Sequence, residues 1–143
     1  NAHWAALRDD GTITADEYLR ATFAQHYRTV DEFTAPFKDK NSAVSKAGLQ
    51  LLSVTTRLTP CPFRVAYDNA PDDMTPAEFA ASLIPTMRSW SETVFRTALE
   101  GRPEAEITAI VDRFYDTYEA EIASNPDGHA MDYIHIILEI EKA

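Results

Sequence analysis

The residues able to do chemistry are few and scattered. The four histidines are His3, His26, His129 and His135. They form no H-x-x-E-H pattern and stand at no metal-ligand spacing from a cysteine. His135 faces away from a row of isoleucines and reads as an ordinary strand residue. Cys61 lies between two prolines, with no cationic neighbour in sequence to activate a thiolate. Acidic residues are plentiful, but Asp112, Asp116 and Glu119 read as a solvated helix face, and no pair stands out as acid and base. A G-x-S-x-G elbow is absent. The sequence therefore nominates no catalytic residue and no metal ligand. Met87, Trp90 and Tyr133 are more suggestive. Met adapts its shape and aromatic rings supply flat surface, which suits a pocket for a small apolar or aromatic ligand. By type alone the same three suit a packed core, the commoner use of such residues.

Composition narrows the classes. The chain has 143 residues, 45% of them hydrophobic, as expected for one globular domain or part of a larger one. Thirteen Lys and Arg face 23 Asp and Glu, a net charge of -10. That disfavours nucleic acid, whose phosphates need cations, and an anionic membrane surface. A single cysteine excludes an internal disulfide and fits a reducing, cytoplasmic compartment. No apolar run is long enough to span a bilayer, and no signal peptide is visible. The four glycines, Gly11, Gly48, Gly101 and Gly128, are too far apart for G-x-G-x-x-G or a P-loop. No cofactor-binding residue is nominated either.

The elements that would position these residues follow from capping and periodicity. Thr14-Ala15-Asp16-Glu17, Thr29-Val30-Asp31-Glu32 and Thr75-Pro76-Ala77-Glu78 are capping boxes, the last with proline at the first helical position. The first predicts a helix with Tyr18, Leu19, Thr22 and Phe23 on one side. The second predicts a helix that tolerates Pro36. A turn of helix over 42–46 closes at Gly48. Leu49–Leu58 alternates as a strand and ends at Pro60 and Pro62. The stretch Phe63–Asp73 reads as irregular, with Asn69, Pro71, Asp72 and Asp73 as turn formers. Phe79, Leu83, Met87, Trp90, Val94 and Ala98 predict one long helix face, kinked or split at Pro85. Ile107, Ile110, Val111, Phe114, Tyr115, Tyr118 and Ile122 mark a further helix, stopped by Asn125-Pro126-Asp127-Gly128. A last strand places Ile134, Ile136, Leu138 and Ile140 on one face. Ile137 on the other face implies burial on both sides. The fold class is α+β, mostly helical, with two strands that can pair.

The ordered set of segments resembles the C-terminal part of the SABATH carboxyl methyltransferases. These S-adenosylmethionine-dependent enzymes methylate salicylate, benzoate, jasmonate and related small acids. WAALRDDGTITADEY over Trp4–Tyr18 is similar to the family's helix, acidic-Gly turn and acidic helix. Tyr27–Leu58 resembles its aromatic-Thr-x-x-Glu helix, glycine and strand. TMRSWSE over Thr86–Glu92 is similar to Met-Arg-Ala-x-x-Glu in the helical cap. Asp112–Ala143, with Arg113-Phe114-Tyr115 and Tyr133–Lys142, resembles the last cap helix and closing strand. The Phe37-to-Leu49 spacing and Pro60-Cys61-Pro62-Phe63 look more like microbial members than plant ones.

The resemblance implies that both strands are antiparallel neighbours at one edge of a Rossmann-like class I methyltransferase sheet. Residues 1–62 would hold helices and the penultimate strand, 63–128 the helical cap and 129–143 the final strand. Met87 matches a cap methionine lining the family's acid pocket. Trp90 matches a second pocket position, usually a smaller aliphatic residue. Tyr133 matches an aromatic closing the pocket. The family's cofactor loop, its acidic ribose ligand and the Trp that clamps the substrate carboxylate would all lie upstream of Asn1. S-adenosylmethionine is then expected in the full-length protein, and this chain alone is expected to be inactive and to bind no cofactor. The partner implied is a small carboxylic acid, and homodimers are common in the family. Transfer to a carboxylate needs no base, because the acid is already ionised near neutral pH. It needs in-line placement and exclusion of water. The alternative from another class is a non-catalytic module that binds a small ligand or a partner protein.

Overall fold

The computed structural model describes residues 2–69 and 73–143. It is an α+β chain in two units, one formed by Asn1–Ala24 with Pro62–Ala130 and the other by Gln25–Cys61 with Met131–Ala143. The turn expected at Pro71 and Asp72 lies outside the described residues. No helix among the described residues is long and apolar enough to cross a membrane.

The first unit is helical: α1 (Ala2–Asp9), α2 (Ala15–Arg20), then α5 (Pro62–Asn69), α6 (Pro76–Ala98) and α7 (Glu104–Ser124). The Thr14 and Thr75 capping boxes form as read, each threonine accepting from the glutamate N–H and each glutamate from the threonine N–H. Helices α6 and α7 make an antiparallel hairpin. Arg96 meets Glu104, Arg88 meets Asp112, and Ser91 meets Tyr115. Between them and α1 sits an aromatic core. The Phe95 ring lies 4.4 Å from Phe114 and 4.8 Å from Trp4.

Several expectations change here. Phe63–Asp73 is not irregular throughout, because α5 occupies most of it. Pro62 starts that helix, Arg64 pairs with Asp68 one turn on, and Tyr67 stacks on Phe79 at 4.8 Å. These contacts offset the lack of a strong local helix signal. Helix α2 ends at Arg20, so Thr22 and Phe23 lie beyond it, and Leu19 is exposed. Pro85 does not split α6. The helix runs unbroken from Pro76 to Ala98, with Leu83 and Ile84 before the proline and Ser91 and Phe95 after it buried. The buried face also differs from the stripe read in sequence. Ile84, Ser91 and Phe95 are buried, while Trp90 is 46% exposed. Partners on α7 select that face. Asp112 is not simply solvated, since it pairs with Arg88 across the hairpin.

The second unit holds α3 (Val30–Lys38), α4 (Ala43–Lys46), β1 (Leu49–Thr59) and β2 (Tyr133–Lys142). The Thr29 capping box starts α3, which runs past Pro36. Gly48, at φ +76°, turns the chain from α4 into β1. The two strands pair antiparallel from Leu49↔Lys142 to Thr59↔Tyr133, with an irregularity at Leu51/Ser53. Directly opposed side chains share a face. Leu58, Thr56 and Val54 therefore join Ile134, Ile136 and Leu138 on one side. Arg57, Thr55 and Ser53 join His135, Ile137 and Glu139 on the other. Two-sided burial of Ile137 is not found: it is 48% exposed. The helices of this unit, α3 and α4, make their main contacts with β1, and Phe33 of α3 shares a recess with Ile134 and Ile136, on the other side of the ladder from Ile137.

Candidate functional site

Met87 and Trp90 sit on α6, one turn apart. Met87 is half-buried, and its backbone carbonyl accepts a 2.6 Å hydrogen bond from Ser91 Oγ. Trp90 presents nearly half its surface. The Phe23 ring packs against it edge-on, at 5.9 Å and 70°. Tyr133 belongs to the other unit, where it opens β2, is exposed, and lies 6.3 Å from the His135 ring in a near-parallel stack. Trp90 and Tyr133 are thus exposed aromatics, each within its own unit.

The residues around Met87 and Trp90 show what the TMRSWSE segment does locally. Arg88 Nε donates to Glu92 at 2.6 Å, a second guanidinium nitrogen meets Asp112, and the guanidinium carbon stands 5.0 Å from the Tyr115 ring centre. Ser91 Oγ donates to the Met87 carbonyl, so the 2.7 Å contact with Tyr115 must have the phenol as donor. Burial pushes the Tyr115 hydroxyl above its ordinary pKa, keeping it protonated in this role. These groups clamp α6 to α7. Sequence spacing does not show the Asp112 and Tyr115 contacts, since those partners lie on the neighbouring helix, whereas Glu92 and Met87 lie on α6 itself.

Among the described residues, the carboxyl groups with shifted pKa values move down. Glu17 is held at about 2, first by the Arg102 guanidinium, which contacts it at 2.6 and 2.7 Å, then by the Thr14 N–H. Asp10, bonded by Thr12 and Arg113, is also held at about 2. Glu32 and Glu78 are lowered chiefly by the backbone N–H groups they cap. Such groups stay ionised near neutral pH, the opposite of a general acid. Cys61 is 1% exposed, and its N–H donates to Asp132 Oδ1 at 2.8 Å. Among the described residues no three His, Cys, Asp or Glu side chains converge as a metal site.

Among the recesses of the described residues, two draw their walls from residues the sequence reading did not nominate. In the first unit, one of about 300 Å³ is lined by Trp4, Tyr18, Leu19, Ala21, Thr22 and Phe23. In the second, one of about 600 Å³ is lined by His26, Tyr27, Arg28, Phe33, Ile134 and Ile136. Neither is lined by Met87, Trp90 or Tyr133. Their walls come from segments distant in sequence, or from loops without periodicity, so no local pattern marks them. No protein-family model matches the chain, and no curated protein is similar to it.

Proposed function

We propose that this chain is the substrate-capping, C-terminal part of a cytoplasmic S-adenosylmethionine-dependent O-methyltransferase that acts on a small carboxylic acid. The observation that carries the reading is the exposed sheet. Ile134, Ile137, Ile140, Leu52 and Leu58 are each exposed by 44% or more on a two-stranded ladder. Two strands make a poor sheet in isolation. Apolar side chains on both faces suit strands with layers packed on either side, as at the edge of a Rossmann-like sheet. The helical stretch α5–α7 between two paired strands suits a cap inserted before the final strand.

The described residues offer a cofactor no glycine-rich cradle. All four glycines carry positive φ as isolated turn or helix-stop residues, and none combines with another into a phosphate-cradling loop. No step is assigned to S-adenosylmethionine within this chain. Met87 and Trp90 on the cap, and Tyr133 on the final strand, are assigned to the substrate. Their work is to shape the acid's surroundings and keep water from its carboxylate.

The test is methyl transfer from labelled S-adenosylmethionine to a panel of carboxylic acids, by the protein extended with its natural upstream sequence. Turnover is expected there and not from the 143-residue chain alone. Met87→Ala and Tyr133→Ala are expected to raise KM by about tenfold, the scale of a lost apolar contact. Trp90→Val is expected to shift preference toward wider acids. No turnover by the extended protein would overturn the reading and leave the non-catalytic module.

A further inference from the structure

Trp90 is half exposed on a helix surface, where an indole has several rotamers open to it. Something must hold the ring if it is to act as a wall. Phe23 is placed to do so. Its ring meets Trp90 at 5.9 Å and Phe95 at 5.5 Å, edge-on at 70° in both cases. Phe95 is a buried core residue, 4.4 Å from Phe114. Phe23 therefore wedges an exposed indole against a fixed core. Edge-to-face packing has a preferred geometry, so it restricts ring orientation as well as burying area.

The support for Phe23 can be traced backward. Its segment is tied to α2, because the Thr22 N–H donates to the Arg20 carbonyl and Thr22 Oγ1 to the Leu19 carbonyl, both at 2.8 Å. Helix α2 is anchored by the two-pronged Glu17–Arg102 pair to the turn between α6 and α7. Phe23 also forms part of the wall of the 300 Å³ recess. No other aromatic ring contacts Trp90 among the described residues.

We propose that Phe23 is a positioning residue that fixes the Trp90 ring against the Phe95 core and, through it, sets the width of acid accepted. The second half rests on the reading of Trp90 as a substrate wall, and the experiment separates the two. The chain has two tryptophans, so labelling with 5-fluorotryptophan produces two ¹⁹F lines, assigned by Trp90→Phe. Phe23→Leu and Phe23→Ala are expected to shift and narrow the Trp90 line by more than the Trp4 line moves, since Trp4 shares only a recess wall and the Phe95 ring with Phe23. Phe23→Tyr is expected to restore the original position. An unmoved Trp90 line in both variants overturns the proposal. A Trp4 line that moves as far as the Trp90 line in Phe23→Leu, the milder change, overturns it too, as that marks a general core effect.

In the extended enzyme, Phe23→Leu is expected to change the ratio of kcat/KM for a wide and a narrow acid by about fivefold or more. A loss of folded protein alone lowers both values together and leaves the ratio fixed. A shifted Trp90 line with an unchanged ratio overturns the specificity role. If the extended wild-type protein methylates no acid, the enzymatic reading falls, while the ¹⁹F result still decides whether Phe23 positions Trp90.

Discussion

At the scale of single residues, Ser91 and Tyr115 show how position and partner outrank residue type. Ser91 sits next to Trp90, yet it is buried while Trp90 is not. Its hydroxyl gives its proton to the Met87 carbonyl and accepts from the Tyr115 phenol. The two truncations are therefore unequal. Tyr115→Phe leaves Ser91 with its carbonyl partner and is expected to cost about 1 kcal/mol. Ser91→Ala strands a buried phenol and is expected to cost more, about 1–3 kcal/mol. Urea unfolding of both variants measures the order, and a larger cost for Tyr115→Phe would show that the donor assignment is reversed. Neither residue could be singled out from sequence. A serine inside an apolar helix stripe carries no sign of whether it meets water or a tyrosine 24 residues away.

At the scale of elements, local chemistry was legible where the chain's own neighbours supply the partners. Three capping boxes start α2, α3 and α6 at the expected residues, because each bond closes within four residues. The strands follow from alternation and β-branching, and their pairing from having only each other. Helix α5 was missed because its stabilising contacts, the Arg64–Asp68 pair apart, lie outside it. Tyr67 stacks on Phe79, and Arg64 Nη1 donates to the Pro126 carbonyl at 2.8 Å. The junction of α4 and β1 makes its own prediction. Gly48 holds φ +76°, and a Cβ there would stand 3.2 Å from the Ala143 carbonyl oxygen. Its own carbonyl accepts the Ala143 N–H at 2.8 Å, so helix stop and strand end meet at one residue. Gly48→Ala is expected to cost about 1–2 kcal/mol from the left-handed backbone alone. A thermal melt detects the loss, and an unchanged Tm would show that the junction adopts another backbone conformation.

At the scale of the molecule, charge ties stability to pH. Glu17 is nearly buried, and Arg102 holds its pKa at about 2, against an ordinary 4.5. A carboxyl depressed in the folded state binds its proton more readily when unfolded. Its contribution is complete above about pH 4.5 and is lost as pH falls toward 2. The size is on the order of 3 kcal/mol, from about 1.4 kcal/mol per pKa unit. Glu32 and Glu78, lowered by the N–H groups they cap, act in the same direction. Urea midpoints are therefore expected to drop steadily below pH 4.5. Arg102→Met is expected to lower stability at pH 7 by about 3–5 kcal/mol, since it leaves a buried carboxylate unpaired. The variant's stability should then depend much less on acid. An equally steep acid dependence in the variant would place the proton linkage elsewhere.

The sequence by itself determined the starts of α2, α3 and α6, the two strands, the glycine stops and the absence of a glycine-rich loop. Each depends on bonds or dihedral angles within a few residues, so residue order is enough. Only the tertiary structure decided which face of α6 is buried, that α5 is a helix, and that Asp112 and Ser91 have partners on the facing helix. It also placed Phe23 against Trp90 and left Ile137 exposed. These outcomes depend on contacts between residues far apart in the chain. Close packing selects among several faces that periodicity alone leaves equivalent.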